Sequence, residues 1–97
     1  MLLVPEVALR AFEKWAVDFV GPINPPGKRT SARYIITATE YLTRWAEATP
    51  VRDCTVATTA KFLFENVVTR FDYPIILMSD QGSHFANKTI TELTEVF

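Results

Sequence analysis

The stretch WAVDFVGP, Trp15–Pro22, has the pattern of a buried β-strand except at one residue. Its apolar residues predict a strand, and the Gly-Pro pair ends it. Asp18 lies in the middle, where an ionised carboxylate is costly unless a cation or hydrogen bonds compensate for its burial. A second apolar run, in ILMSDQGSHF (Ile76–Phe85), also leads into an aspartate, Asp80. We therefore ask whether the two aspartates belong to one site.

Composition indicates one small globular domain with a modest core, because the chain has 97 residues of which 48% are hydrophobic. No apolar run approaches the ~20 residues that span a bilayer. The first residues have too short an apolar core, and no basic start, for a signal peptide. The single cysteine, Cys54, excludes an internal disulfide and a cysteine-based zinc site. These features predict a nuclear or cytoplasmic protein without membrane contact.

The charge balance offers little support for nucleic-acid binding. Ten basic and eleven acidic residues give a net charge of −1, whereas nucleic-acid-binding proteins often carry a basic footprint. The densest basic group is Lys28, Arg29 and Arg33, around a proline-rich turn. Such a group is usually a solvated loop, and we interpret it as one.

The order of the predicted elements indicates the topology. After a lead-in arm over residues 1–14, strands are predicted at 15–20, 33–39 and 44–49, the last ended by Pro50. Their short connections favour an antiparallel meander. A helix follows and extends to Phe71, with Asp53 or Thr55 as its cap. Seven apolar residues recur in it at helical spacing: Val56, Ala60, Leu63, Phe64, Val67, Val68 and Phe71.

The last two elements complete an α/β pattern. Residues 75–78 form an unbroken apolar run, typical of a parallel strand that is buried on both faces. A loop is predicted after Gly82, and Asn87 is predicted to cap a final helix over 88–97. The fold class is therefore α/β: three antiparallel strands, a crossover helix, a fourth strand parallel to the first, and a helix.

This topology brings the two aspartates together. Asp18 and Asp80 would lie on neighbouring strands, and Asp80 at the carboxyl end of its strand, where ligand sites of α/β sheets gather. Two nearby carboxylates repel each other unless a proton or a cation lies between them. Mg²⁺ is commonly held by one or two carboxylates. Taken singly, Asp18 also fits a hydrogen-bonded strand residue, and Asp80 a residue of a Ser-Asp-Gln-Gly turn.

The longer motifs resemble one family. WAVDFVGP, YIITATEYLTRWAEA (Tyr34–Ala48), the helix before RFDYP, and ILMSDQGSHFANK (Ile76–Lys88) are similar to the integrase catalytic core of long-terminal-repeat retrotransposons. The nearest resemblance is to the gypsy type of plants, with retroviral integrases as relatives. It covers nearly the whole chain from Trp15 onward and implies a ribonuclease H-like fold. It also implies DNA integration by a polynucleotidyl transferase that processes element DNA ends and joins them to target DNA.

The resemblance also assigns roles to residues and partners. Asp18 and Asp80 match the family's first and second catalytic, metal-binding aspartates, and the implied metal is Mg²⁺ or Mn²⁺. The implied partners are element-end DNA, target DNA and further copies of the chain. The implied nucleic-acid contacts are Gln81, Gly82, Ser83, His84 and Lys88. The sequence of residues 81–83 fits a plain turn equally well, and His84 also fits an ordinary loop residue.

Departures from the family bear on activity. The family's third acidic ligand, a glutamate, lies about 35 residues beyond the second aspartate. Here 17 residues follow Asp80, Asp72 replaces a usual glycine, and Glu40 replaces a frequent aspartate. We therefore expect residues 15–97 to be an incomplete core without the C-terminal helices, and to be inactive alone. The alternatives are a non-catalytic remnant that only binds DNA or a partner subunit, and another ribonuclease H-like nuclease.

Overall fold

The structure, a computed structural model, describes residues 10–24 and 31–97. Most of the predicted lead-in arm, together with Lys28 and Arg29 of the basic loop, lies outside these described residues. Within the two ranges, no helix combines the length and the apolar character that crossing a membrane requires.

The described strands form one mixed sheet. Strands β1 (Lys14–Val20), β2 (Tyr34–Glu40), β3 (Ala46–Val51) and β4 (Ile76–Ser79) are arranged in the order β3-β2-β1-β4. β1 pairs antiparallel with β2, and β2 antiparallel with β3. β4 joins the other side of β1 in a parallel orientation. This arrangement confirms the predicted meander, the crossover and the ribonuclease H-like order.

The crossover is a helix with an irregular middle. It consists of α1 (Val56–Leu63), a π-helical turn over Phe64–Val68, and α2 (Thr69–Phe71). The hydroxyl of Thr55 accepts a hydrogen bond from the Thr58 N–H at 3.2 Å, which confirms Thr55 as the cap. Within the π turn, Asn66 Nδ2 donates to the Phe62 carbonyl at 3.0 Å and supports the altered backbone.

The hydrophobic core lies on one face of the sheet. Alternate residues of β1 and β2 point to this face and meet the buried side of the crossover helix and of the last helix, α3 (Ser83–Val96). The predicted helical stripe contributes Ala60, Leu63 and Val67, all fully buried. The core cluster comprises Trp15, Val17, Ile36, Ala38, Ala60, Phe62, Leu63, Val67 and Leu93.

The opposite face of the sheet is open over the described residues. Val20 of β1 is 56% exposed, Met78 of β4 is 50% exposed, and Ile76 is 39% exposed. The prediction that the fourth strand is buried on both faces was therefore wrong. An unbroken apolar run does not distinguish an edge strand from a central one, and β4 is an edge of the described sheet.

Two predicted boundaries were also wrong. The third strand does not end before Pro50 but includes it, opposite Ile35. Proline is tolerated there because β3 is an edge strand of the described sheet, where no further strand needs an N–H donor from it. The last helix begins at Ser83 rather than after Asn87. Its first turn is held by packing, since the ring of Phe85 contacts that of Phe19 edge-on at 6.3 Å.

A buried carboxylate organises the turn between β2 and β3. Glu40 is fully buried, and its carboxylate accepts hydrogen bonds from the N–H groups of Leu42 at 3.0 Å and Thr43 at 2.5 Å. Burial raises the pKa of Glu40, but these hydrogen bonds, with others from the Thr43 hydroxyl and the Phe12 N–H, outweigh burial and lower it to about 2. The ionised form of Glu40 therefore stabilises the fold.

We expect Glu40→Gln to destabilise the protein by about 2 kcal/mol at pH 7, because hydrogen bonds to a charged acceptor are replaced by weaker ones. The lowered pKa means that the unfolded chain binds the proton more readily between pH 4.5 and about 2. The stabilising contribution of Glu40 is thus complete above pH 4.5 and is lost as the pH falls toward 2. Urea unfolding of both proteins from pH 7 to pH 3 measures the difference. Glu95→Gln, at an exposed position of α3, is the matched control; an equal loss in both variants would contradict the assignment.

The end of the crossover helix carries backbone strain. Asp72 has φ 81° and ψ 178°, a conformation that is favourable mainly for glycine. Its carboxylate accepts a hydrogen bond from the Tyr73 N–H at 2.8 Å, at an exposed position. We expect Asp72→Gly to stabilise the chain by about 1 kcal/mol in thermal or urea unfolding, because strain at this backbone position exceeds the value of an exposed hydrogen bond. Asp72→Ala should destabilise it, and a glycine variant less stable than the wild type would refute the strain argument.

Candidate metal centre

The register of β1 and β4 places Asp18 beside Asp80. Val17 pairs with Ser79, so the next residues along the two parallel strands are the two aspartates. Because side chains alternate along a strand, Asp18 points away from the core residue Val17 and toward the open face. Both aspartates are exposed and line one open cavity of ≈ 290 Å³, together with Ala16 and Met78. The structure therefore brings together the two residues that the sequence singled out.

The neighbouring carboxyl group of Asp18 influences the pKa of Asp80. A hydrogen bond between the two carboxyl groups, burial and the negative charge of Asp18 together raise the pKa of Asp80. Hydrogen bonds from the N–H groups of Asp80 and Gln81 oppose this rise. Asp18 is also held locally, since its Oδ1 accepts from the Phe19 N–H at 2.8 Å.

This donor set fits a hard divalent cation. Both donors are carboxylates, the ligand type that such ions prefer, and they face one cavity. Over residues 10–24 and 31–97, no cluster of three or more His, Cys, Asp and Glu side chains suited to holding a metal ion is present. The described part of the site is thus a two-carboxylate arrangement.

The predicted nucleic-acid contacts fall into two groups. Gln81 and Gly82 form the turn after Asp80, where both N–H groups donate to Ser79, and Gly82 has φ 95°. Ser83 and His84 begin α3 and are exposed. His84 and Lys88 are one helical turn apart and line a separate groove of ≈ 370 Å³ beside the start of α1. Gln81 and Gly82 directly follow Asp80 in the chain. The groove that His84 and Lys88 line does not include either aspartate.

Sequence reasoning missed two residues near the pair. Ser79 lines the cavity, and its hydroxyl accepts from the Gln81 N–H at 3.1 Å, which fixes the turn behind Asp80. A serine two residues before a turn amide is a recognisable signal for such a bond. Cys54, just before α1, has a pKa raised by burial and then by the charges of Asp53 and Asp80. No sequence pattern connects Cys54 with Asp80, because the fold alone makes them neighbours.

Comparison with known proteins defines the class. Residues 8–97 match the integrase core domain family, and the chain belongs to that family. The resemblance stated from the motifs is confirmed at this level, while the finer assignment to the gypsy type of plants stays a prediction.

The relatives are polyproteins of retroelements. The chain is 27% identical over 92 residues to the retrovirus-related Pol polyprotein from transposon 412 of Drosophila melanogaster, which covers 95% of the chain and 7% of the polyprotein. It is 30% identical over 83 residues to the Gag-Pol polyprotein of avian reticuloendotheliosis virus, covering 86% of the chain and 7% of that protein. For the Gag-Pol polyprotein of koala retrovirus the identity is 35% over 71 residues, with 73% of the chain and 4% of the polyprotein covered. The chain thus spans less than one tenth of each of these relatives.

Removal of one carboxylate should stabilise the metal-free chain. The raised pKa of Asp80 means that the folded state is progressively penalised as the pH rises above 3.8, the ordinary value for this side chain. In EDTA at pH 7 we expect Asp80→Asn to increase the free energy of unfolding by up to about 1 kcal/mol, the range of exposed charge pairs. The gain should disappear at pH 3, and urea unfolding at both pH values measures it. Asp72→Asn serves as the control, and a destabilised Asp80→Asn at pH 7 would show that the two carboxylates do not repel.

Proposed function

We propose that this chain supplies the first two acidic ligands of an integrase catalytic core that acts in DNA integration. The observation that carries the proposal is the side-by-side position of Asp18 and Asp80 on β1 and β4, facing one open cavity. Membership of the integrase core domain family, whose members generally depend on divalent metals and act on DNA, supports it. The activity proposed is that of a polynucleotidyl transferase, which processes element DNA ends and joins them to target DNA.

In this proposal Asp18 and Asp80 hold Mg²⁺ or Mn²⁺. A bound ion would supply activation of the attacking hydroxyl group and stabilisation of the leaving oxygen of a phosphodiester. The protein's own contribution is positioning. Asp18 is fixed by β1 and by its bond to the Phe19 N–H, and Asp80 by the turn that Ser79 anchors. Their open cavity leaves room for a phosphate group of DNA beside the ion.

The exposed residues directly after Asp80 are the proposed contacts to DNA. Gln81, Gly82 and Ser83 follow Asp80 directly in the chain and are exposed, so that the Gln81 amide and the Ser83 hydroxyl can donate to a phosphate group. The backbone of Gly82 adopts a positive φ that favours glycine, so a phosphate group can approach this turn without a Cβ in its way. His84 and Lys88, on the following helical turn, would add a positively charged contact at a greater distance from the aspartates.

Metal binding is the direct test. We expect Mg²⁺ or Mn²⁺ to raise the melting temperature of the 97-residue chain, because an ion that binds only the folded state adds about 1.4 kcal/mol at ten times its Kd. Asp18→Asn and Asp80→Asn should each remove most of this shift. Thermal unfolding with and without millimolar metal measures it, and Asp72→Asn should respond as the wild type does.

The second readout is chemistry on DNA. Strand transfer and nicking in Mn²⁺, on oligonucleotides with retroelement ends, should be undetectable for the 97-residue chain, since the family's reaction uses a third acidic ligand. Asp80-dependent turnover would show that two carboxylates suffice. A melting temperature that does not change with metal, or that changes equally in the two aspartate variants, would refute the proposed metal site itself.

A further inference from the structure

A second, smaller cavity of ≈ 130 Å³ lies on the open sheet face, toward the start of β1. Lys14, Tyr41 and Arg44 contribute to its lining, and Ala16 and Met78 supply apolar surface that it shares with the aspartate cavity. Lys14 precedes Asp18 by four residues of extended strand, or roughly 13 Å. The proposed DNA chemistry makes no use of this cavity.

The cavity is basic. Lys14 Nζ lies 4.1 Å from the centre of the Tyr41 ring, and Arg44 Cζ lies 5.6 Å from the same centre. Among the residues that the structure describes, no acidic side chain lines the cavity. Within residues 10–24 and 31–97, neither Lys14 nor Arg44 forms an ion pair. Two cations that converge on one aromatic ring without a carboxylate create a favourable position for an anion.

The cationic groups are held in place by the backbone. Arg44 has φ 64°, a left-handed conformation that is uncommon for a residue with a side chain, and its N–H donates to the Glu40 carbonyl at 3.0 Å. The Tyr41 N–H donates to the Lys14 carbonyl at 2.9 Å and ties the turn to β1. The buried carboxylate of Glu40 accepts hydrogen bonds from the N–H groups of Leu42 and Thr43 in the same turn. A turn that is strained at one residue and fixed by several hydrogen bonds is typical of functional sites. Because the turn is already rigid, less conformational entropy is lost when a ligand binds.

Size and lining determine the class of ligand. Cavities for drug-sized ligands measure about 300–1,000 Å³, so this one suits a smaller group. Arg44 offers a planar fork that matches a carboxylate, and Lys14 adds a point charge. Ala16 and Met78 offer apolar contact to whatever carries the anion. This apolar lining favours an anion carried on an apolar group over the sugar-phosphate backbone of a nucleic acid.

We propose that this cavity binds a carboxylate attached to a small apolar or aromatic group. The carboxylate pairs with Arg44 and Lys14, and the apolar group packs on Ala16 and Met78 beside the Tyr41 ring. Two sources offer this chemistry: a free aromatic acid, and the C-terminal carboxylate of a peptide that ends in an aromatic residue. The assignment is independent of metal binding and of the proposed DNA chemistry.

The test is a titration of the ¹⁵N-labelled 97-residue chain with phenylacetate, followed by NMR. We expect saturable shifts of the amide signals around Lys14, Thr39, Tyr41 and Met78. Phenylacetamide, which has the same shape without the charge, should bind at least about tenfold more weakly. Gly-Gly-Phe with a free C-terminus, compared with its amide, tests the peptide source, and whichever acid binds more tightly identifies the source.

Two variants and a control make the test specific. Arg44→Gly removes the guanidinium while relieving the positive φ, so the variant retains its fold, and binding should weaken by about tenfold or more. Lys14→Gln should also weaken binding, whereas Lys61→Gln, at an exposed lysine of α1, should leave it unchanged. Equal binding of the acid and its amide, binding unchanged by Arg44→Gly, or tighter binding of phenyl phosphate or a single-stranded oligonucleotide at these residues would overturn the proposal.

Discussion

The parallel pairing of β1 with β4 is the constraint on which the acidic pair depends. Asp18 and Asp80 are far apart in the chain, and only the register that sets Val17 opposite Ser79 places their carboxyl groups side by side. A slip of one residue would turn one of the aspartates to the opposite face of the sheet, into the core. The crossover helix enforces the register, because its buried residues must pack against Trp15 and Ile36 while its ends connect β3 with β4.

The two faces of the sheet have different physical roles. One face carries the core and stabilises the fold through burial of apolar surface. The other face is exposed over the described residues, and its charge changes sign along β1. The positive side chain of Lys14 lies near the start of the strand, and the negative side chain of Asp18 lies toward its end. Alternation along the strand makes this division possible, because Trp15 and Val17 can pack inside while Lys14, Ala16 and Asp18 face outward.

Glu40 connects the stability of the fold with the shape of the open face. Its buried carboxylate satisfies the N–H groups of Leu42 and Thr43, which lets the turn adopt the left-handed conformation at Arg44. The same turn carries Tyr41 to the rim of the basic cavity. A buried, hydrogen-bonded charge is thus responsible for geometry at a surface about one strand length away from the aspartates.

Local patterns in the sequence were sufficient for the strand order, the crossover, a helix cap at Asp53 or Thr55, and the pairing of Asp18 with Asp80. Each of these follows from a periodicity, a capping residue or the chirality of the crossover, which act over short stretches of chain. The gypsy-like motifs were likewise sufficient for the integrase core family. The roles of the two aspartates as metal ligands and of residues 81–84 and Lys88 as DNA contacts stay predictions.

Tertiary structure decided the features that depend on packing between distant segments. The start of α3 depends on the contact between the rings of Phe85 and Phe19. Ile76 and Met78 are exposed because β4 is an edge of the described sheet. The basic cavity gathers residues from β1, β4 and a turn, with no spacing that a sequence pattern could show. Periodicity reports which side of an element is apolar, whereas neighbours across the sheet, exposure and charge convergence are properties of the assembled chain.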